Sequence, residues 1–230
     1  MKVSIIIPCY NEINFLDLLI ERVLTQKNIE KEIILIDDYS NDGTRDLIKK
    51  FISKKVTKVI YNDKNYGKGY SIRKGIAEAS GKVILIQDAD LEYSPHDYEK
   101  LLKPIIDGHA DAVYGSRFRS GEITRVLYFW HTLGNKFLTI LSNMLTNFNL
   151  TDMENCYKVF RSEVIKNIEL KENRFGFEPE ITAKLSKLND IRLFEVSTKY
   201  YGRTYKEGKK ITWKDGLAAI YCIIKYNLFN

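Results

Sequence analysis

Residues 83–95 read VILIQDADLEYSP, and this stretch decides the fold. Four apolar residues and a glutamine lead into three acids, Asp88, Asp90 and Glu92, which lie two positions apart. A short continuous apolar run is typical of a strand that is buried on both faces, as in a parallel sheet covered by helices. Three like charges at the end of such a strand repel one another, so they need either contact with water or a bound cation.

The rest of the first half repeats this pattern. Apolar runs typical of buried strands occur at 2–8, 31–37, 58–62, 82–88 and 111–115. Helical patterns separate them, at 13–27, 44–53, 69–79 and 95–107. The alternation predicts an α/β fold with a mostly parallel sheet, right-handed crossovers and helices on both faces. Ligands of such sheets bind beyond the carboxyl ends of the strands, where the polar segments 8–12, 37–44 and 88–92 would meet.

The second half of the chain changes character. Helices are predicted at 124–147, 177–188 and 213–229, strands at 154–161 and 191–201, and a loop rich in glycine and cations at 201–213. Because no repeat, low-complexity tract or linker is present, we predict a single domain over residues 1–230. The C-terminal helix is apolar on one side, so it could lie in a membrane interface, pack on the core or form a dimer contact.

Composition and charge limit the classes of function. The chain has 230 residues, 44% of them hydrophobic, which is enough for a substantial core. A net charge of +6 suits an anionic partner, although a basic protein without such a partner is the alternative. Cys9, Cys156 and Cys222 form no C-x-x-C pair, which predicts free thiols in a reducing cytoplasm. We expect no signal peptide before the first strand and no membrane span, since polar residues interrupt the apolar window at 126–145.

The acidic motif at 88–92 has the chemistry of a cation site. In an extended segment, alternate residues project to the same side, so Asp88, Asp90 and Glu92 would converge if the chain stays extended. Hard oxygen ligands suit Mg²⁺ or Mn²⁺, and Mg²⁺ needs only one or two carboxylates when substrate phosphates complete its shell. The alternative is an acidic turn in contact with water. The position of the motif at the end of the fourth predicted strand favours the metal site.

Three further motifs each allow two interpretations. Asp37 and Asp38 either close a turn or accept hydrogen bonds from a nucleobase or ribose. The glycine-rich segment 65–75 matches neither common phosphate-loop motif; it either begins a helix or turns its N–H groups and Lys68 or Arg73 towards an anion. The basic segment 202–216 is either a solvated loop or a cationic loop that closes over a diphosphate.

Together, five stretches resemble family 2 glycosyltransferases. They are SIIIPCYNE (4–12), ILIDDYSNDGT (34–44), NYGKG (65–69), ILIQDADLEYSP (84–95) and YGSRF (114–118). The resemblance is greatest to dolichol-phosphate mannose synthases and bacterial polyprenyl-phosphate sugar transferases, and it covers nearly the whole chain. It implies the A-type glycosyltransferase fold, a Rossmann-like sheet that binds a nucleotide sugar with Mg²⁺ or Mn²⁺. Residues 1–115 would be the donor half and residues 116–230 the acceptor half.

The resemblance also implies roles for individual residues. The expected nucleotide-sugar contacts are Pro8, Tyr10, Glu12, Asp38, Lys68, Asp88, Ala89, Arg203 and Lys209. The expected metal ligands are Asp88, Asp90 and Glu92, the last standing where related synthases often have glutamine. Asp90 and Arg117 are expected in catalysis, with Arg117 facing the acceptor phosphate or the diphosphate. His131 and Asn135 lie near further acceptor contacts, or are polar positions on a packed helix.

The preferred hypothesis is a metal-dependent, inverting transfer of a hexose from a nucleoside-diphosphate sugar to a polyprenyl or dolichyl phosphate. It predicts a cytoplasmic enzyme at the inner face of the cell membrane, without a nucleic-acid partner. A lipid phosphate is already an anion and needs no strong base, whereas a hydroxyl acceptor needs one, for which Asp152 is the candidate. The alternatives are a family 2 enzyme acting on a glycan or other hydroxyl, a non-catalytic nucleotide-sugar binder and a phosphate-responsive signalling module.

Overall fold

The structure is a computed structural model that describes residues 1–119, 121, 125–203 and 213–229, with only the main chain of Trp213. Most of the predicted basic loop, including Lys209, lies outside the described residues. None of the helices within the described ranges combines the length and hydropathy that crossing a bilayer requires. Cys9, Cys156 and Cys222 are buried thiols that form no disulfide bond within the described ranges, in agreement with the prediction from their spacing.

A seven-stranded sheet organises the chain. The strands are β1 (Val3–Cys9), β2 (Lys31–Asp37), β3 (Lys58–Tyr61), β4 (Val83–Ile86), β5 (Ala112–Ser116), β6 (Lys158–Arg161) and β7 (Leu193–Ser197). Their order across the sheet is β3-β2-β1-β4-β6-β5-β7. All neighbours are parallel except β6, which runs antiparallel to both β4 and β5. The predicted mostly parallel sheet is confirmed, and it takes strands from both sides of residue 115.

Eight α-helices accompany the strands within the described ranges. They are α1 (Leu16–Leu24), α2 (Thr44–Leu47), α3 (Lys68–Glu78), α4 (Tyr98–Ile106), α5 (Phe129–Thr146), α6 (Ser162–Lys166), α7 (Phe177–Leu185) and α8 (Trp213–Leu228). A π-helical turn at Ile48–Ile52 extends α2, and a 3₁₀ turn at Pro95–Asp97 precedes α4. Every helix expected from periodicity is present, and the short α6 is additional.

The core lies on both faces of the central strands. All seven residues of β1 and all four of β4 are buried, as their continuous apolar sequences predict. Burial of each large aliphatic side chain contributes about 1.5–3 kcal/mol. Helix α3 approaches the sheet closely at Gly75, where a Cβ atom would overlap the side chain of Ile6. This packing fixes the N-terminus of α3, and with it Lys68, beside the carboxyl ends of β1 and β4.

Candidate active site

The turns that follow β1 and β2 are joined by hydrogen bonds. Asn11 Nδ2 donates to Asn41 Oδ1 at 3.0 Å, and the N–H of Asn41 donates to Asn11 Oδ1 at 2.9 Å. The N–H of Glu12 donates to Thr44 Oγ1 at 2.9 Å. Asn11 has φ of 54° and Tyr39 has φ of 67°, in the left-handed region that non-glycine residues seldom occupy. Such strained residues cluster at ligand-binding sites, and the network holds both turns in place.

Asp38 organises the glycine-rich loop that follows β3. Its side chain is buried, and Oδ1 accepts from Asn62 Nδ2 at 2.7 Å and from the N–H of Tyr66 at 3.0 Å. The other oxygen, Oδ2, accepts from the N–H of Gly67 at 2.7 Å. These contacts tie the loop to β2 and set the path into α3. The expected contact of Asp38 with a nucleoside stays a prediction.

Lys68, the first residue of α3, joins two acids. Its Nζ lies 2.9 Å from Asp88 Oδ1 and 3.0 Å from Glu178 Oε1. Burial alone would lower the pKa of Lys68, but Asp88 and Glu178 outweigh it and raise the pKa well above its usual value. Burial would likewise raise the pKa of Asp88, but Lys68 and other groups lower it overall. At neutral pH this side of the site therefore contains an ammonium ion between two acids.

Arg203 lies among three other acids. Its Nη2 is 2.7 Å from Asp90 Oδ2, and its Nη1 is 3.1 Å from Glu12 Oε2. The N–H of Arg203 donates to Glu92 Oε1 at 2.7 Å, and the Tyr200 hydroxyl donates to Glu92 Oε2 at 3.0 Å. The acids of the 88–92 motif are thus divided, with Asp88 paired to Lys68 and the other two to Arg203.

The acidic motif does not stay extended, so the condition under which its three side chains would converge is not met. The strand ends at Ile86, and residues 89–92 form bends, because the N–H of Glu92 turns back to Asp90 Oδ1 at 3.1 Å. In the part of the chain that the structure describes, no three His, Cys, Asp or Glu side chains are arranged as a metal site. A shell completed by substrate phosphates, however, needs only one or two protein carboxylates.

The donor set at Asp88 and Asp90 nevertheless fits a hard divalent cation. Burial, together with the charges of Asp88 and Glu92, raises the pKa of Asp90 to about 7, although Arg203 lowers it. The cluster therefore holds more negative charge than its cations balance, and a nearby metal ion would favour the ionised acids. The oxygens of Glu92 accept from Tyr200 and Arg203, and those of Asp90 accept from the Glu92 N–H and Arg203, so a bound cation would replace some of these contacts. Glu92 is the weaker candidate because related synthases often have glutamine at its position.

Arg117 and Asp152 form a second charged pair at the same edge of the sheet. Arg117 Nε donates to Asp152 Oδ2 and its Nη2 to Oδ1, each at 2.7 Å. Asn135 and Asn155 also donate to this buried carboxylate, each at 3.2 Å. Burial would raise the pKa of Asp152, but Arg117 and these hydrogen bonds lower it overall. Asp152 therefore positions Arg117, and its contacts argue against the predicted role as a general base.

Tyr200 connects the two charged regions. Its ring lies 5.2 Å from the guanidinium carbon of Arg117, and its hydroxyl binds Glu92. The other expected site residues are distributed around the same edge. Pro8 is buried in β1, Tyr10 follows it half-buried, and Ala89 is buried between Asp88 and Asp90. Asn135 reaches the site through Asp152, whereas His131 packs against the ring of Tyr128 at 5.9 Å.

Three charged residues that the sequence motifs did not reveal lie beside Lys68 and Arg117. Glu178 on α7 is only 3% exposed, and Glu154 lies two residues after Asp152. Lys158 in β6 is fully buried, where its Nζ donates to the main-chain oxygens of Met153 and Asn155. Acids within the otherwise apolar pattern of the predicted helix at 177–188 were the available signal for Glu178.

Comparison with known proteins identifies the family. The model of the family described as "Glycosyl transferase family 2" matches residues 4–169, more than half of the chain. The chain belongs to glycosyl transferase family 2. This confirms the family and the class of enzyme that the sequence motifs predicted.

Relatives of this glycosyltransferase include proteins named for lipid-phosphate acceptors. It is 31% identical to a dolichol-phosphate mannosyltransferase of Pyrococcus furiosus, over 98% of this chain and 64% of that protein. It is 26% identical to an undecaprenyl-phosphate 4-deoxy-4-formamido-L-arabinose transferase of Proteus mirabilis, over 90% of this chain and 62% of that protein. The chain thus spans less than two thirds of the length of both relatives.

Solved structures confirm the fold of this family 2 glycosyltransferase. Glucosyl-3-phosphoglycerate synthase of Mycobacterium tuberculosis, solved with Mn²⁺, uridine diphosphate and phosphoglyceric acid, matches with a TM-score of 0.75. The match covers 100% of this chain and 79% of that chain at 16% sequence identity. The predicted A-type glycosyltransferase fold is therefore confirmed.

Proposed function

We propose that this chain transfers a hexose, with inversion, from a nucleoside-diphosphate sugar to a polyprenyl or dolichyl phosphate. The observation that carries the proposal is the pairing of two charged regions at one edge of the sheet. One contains the acids Asp88 and Asp90, and the other presents Arg117 on a buried carboxylate. Tyr200 lies between them and contacts both.

The acidic region suits the donor. Asp88 and Asp90 would hold Mg²⁺ or Mn²⁺, which when bound lowers the cost of negative charge on the departing nucleoside diphosphate. Lys68 and Arg203 supply fixed positive charge beside these acids. Such preorganised charge stabilises a leaving group without reorganisation at the moment of transfer.

The cationic region suits an acceptor that is already an anion. The planar guanidinium of Arg117 matches the oxygens of a phosphate, and Asp152 fixes its orientation. A phosphate oxygen needs no deprotonation before it attacks the anomeric carbon. Asp152 accepts hydrogen bonds from the main chain and the guanidinium of Arg117 and from the amides of Asn135 and Asn155. A carboxylate engaged in this way is poorly placed to take a proton, which supports a phosphate acceptor over a hydroxyl acceptor.

An exposed apolar surface adjoins this acceptor region. On α5, the exposed large apolar side chains are Phe129, Trp130, Leu133, Phe137, Ile140 and Met144, while Asn135 of the same helix reaches Asp152. On α8, which packs beside α5, they are Leu217, Tyr221, Ile224 and Leu228. We call these ten side chains the apolar surface. Lys136 and Lys225 lie on the same two helices. Aromatic and aliphatic side chains flanked by lysine fit the interface of an anionic bilayer, where a polyprenyl phosphate would reside.

The names of the relatives from P. furiosus and P. mirabilis support the same acceptor class. The test is a transfer assay with radiolabelled UDP-glucose and GDP-mannose, with Mg²⁺ or Mn²⁺, and with undecaprenyl phosphate, dolichyl phosphate or free saccharides as acceptors. We expect label to enter the organic phase only with a lipid phosphate and a divalent cation. Transfer to saccharides alone would contradict the lipid-phosphate acceptor, and the anomeric configuration of the product would test inversion.

A further inference from the structure

We propose that Glu154 and Glu178 form a subsite for the hydroxyl groups of the hexose that is transferred. The inference rests on the proposed function, because it assigns the recognition of the sugar within that reaction. It concerns two acids that neither the metal site nor the Arg117–Asp152 pair uses.

One oxygen of Glu178 has no hydrogen-bond partner among the residues that the structure describes. Its Oε1 lies 3.0 Å from Lys68 Nζ, but its buried Oε2 has no hydrogen-bond partner within the described ranges. The side chain is 3% exposed, so water reaches it poorly. A buried carboxylate oxygen without a donor costs free energy, and a ligand hydroxyl would remove that cost.

Glu154 also has a carboxylate oxygen without a hydrogen-bond partner in the described part of the chain, its buried Oε1. Burial and the charge of Glu178 raise the pKa of Glu154 to about 8, against the opposing charges of Lys158 and Arg117. The raised pKa favours the protonated carboxyl of Glu154, which can donate one hydrogen bond while it accepts another.

A purely structural role explains the pair less well. If Glu154 were buried to neutralise Lys158, the Lys158 ammonium should point to it. Instead, Lys158 Nζ donates to the main-chain oxygens of Met153, at 3.0 Å, and of Asn155. Two of the three N–H donors of Lys158 are therefore satisfied by main-chain oxygens and not by Glu154.

Each of the two acids is linked to one of the two charged regions. Glu178 is linked through Lys68 to Asp88, and Glu154 is two residues from Asp152, which holds Arg117. During transfer, the hexose must lie between the diphosphate and the attacking oxygen. Its hydroxyl groups both donate and accept hydrogen bonds, which a protonated carboxyl beside a carboxylate can match.

The experiment compares the binding of donors with that of the free nucleotide. Calorimetry with Mn²⁺ would measure Kd for UDP-glucose, GDP-mannose, their single-deoxy analogues, UDP and GDP, in the wild type and in Glu154→Gln and Glu178→Gln. We expect each variant to bind the preferred sugar nucleotide about tenfold or more weakly and the free nucleotide unchanged. For one deoxy analogue the substitution should weaken binding much less, because that analogue lacks the hydroxyl that the acid recognises.

The control is Glu180→Gln on the same helix. Glu180 is fully buried but accepts hydrogen bonds from the main chain at Lys171 and Glu172 and from Lys184 Nζ, so its variant should lose stability without changing sugar preference. Equal losses for the parent sugar and every deoxy analogue, or for sugar nucleotide and free nucleotide alike, would overturn the inference. If the wild type binds sugar nucleotides but transfers no label to lipid phosphates, the acceptor proposal fails while the subsite stands. If it binds no sugar nucleotide, both fail.

Discussion

Arg117, which follows β5, and Asp152, 35 residues later, form a bidentate salt bridge in which Nε and Nη2 each lie 2.7 Å from a carboxylate oxygen. The N–H of Arg117 also donates to Asp152 Oδ2, at 2.9 Å. The carboxylate therefore fixes the guanidinium in both position and plane. An arginine held this way presents a fixed face to an anion, which a flexible surface arginine cannot do.

Asp152→Asn should impair the use of the acceptor but not the binding of the donor. Removing one charge of a buried pair typically costs about 3–5 kcal/mol of stability, so Tm should fall as well. We expect KM for the lipid phosphate to rise while the Kd of the sugar nucleotide is unchanged. Arg117→Lys keeps the positive charge but loses the planar pair of N–H donors, so it should also raise KM for the lipid phosphate. If Asp152 were a general base, its variant would instead abolish kcat and remove the acid limb of the pH profile.

Asp90→Asn should remove activity while the fold stays intact. The substitution takes away an anionic oxygen of the candidate metal site, and loss of such electrostatic stabilisation costs about 100-fold or more in kcat. Glu92→Gln is the matched control, because related synthases often have glutamine at this position, so its variant should retain most turnover. Circular dichroism and steady-state kinetics with Mn²⁺ check both variants. Wild-type turnover by Asp90→Asn would contradict the metal assignment.

Glu32→Gln should destabilise the protein in a pH-dependent way. Burial would raise the pKa of Glu32, but hydrogen bonds from Lys2, Ser4 and Ser80 lower it to about 2. This stabilisation is present above the unfolded-state pKa of 4.5 and is lost as the pH falls towards 2. Urea unfolding should therefore show a deficit of about 1–3 kcal/mol at pH 7 that shrinks below pH 4.5. A constant deficit from pH 7 to 3 would refute the assignment.

Glu154→Gln should have the opposite pH dependence. Burial and the charge of Glu178 raise the pKa of Glu154 from 4.5 to about 8. Lys158 and Arg117 oppose this shift, and Asp152 adds to it. The wild type thus loses stability as the pH rises from 4.5 to about 8, while the amide does not. We expect the Tm of the variant, relative to wild type, to increase across that range and then level off. Asp90 titrates in both proteins, so it cancels in the comparison.

Phe137→Asp should weaken binding to anionic vesicles. Phe137 is 55% exposed on the apolar surface, and a charge there opposes insertion into the acyl region. The matched control is Phe51→Asp, because Phe51 is 59% exposed in the π-helical turn after α2. Flotation with phosphatidylserine vesicles would measure the difference. Equal flotation of both variants, or dimers dissociated by Phe137→Asp in light scattering, would assign the surface to another partner.

The sequence predicted β1, β2, β4 and β5 well because burial on both faces leaves a continuous apolar signature. The same reasoning failed at the acids, since their geometry depends on Arg203, more than 100 residues away in the chain. Local patterns also gave no sign that β6 runs antiparallel between β4 and β5, because strand direction is decided by long-range pairing. Glu178 was missed for a related reason: an acid in an apolar helix looks like a surface position until Lys68 is placed beside it.

The central position of β6 has a consequence for folding during synthesis. On the ribosome β4 and β5 are both synthesised before β6, yet in the finished sheet each pairs with β6 and not with the other. The nascent chain therefore holds two strands with open edges until residues 158–161 have emerged. Open edges of this kind attract other chains, so this is the interval in which chaperones have the most to protect. In a circular permutant whose β6 is synthesised before β4, the interval with open strand edges would be shorter.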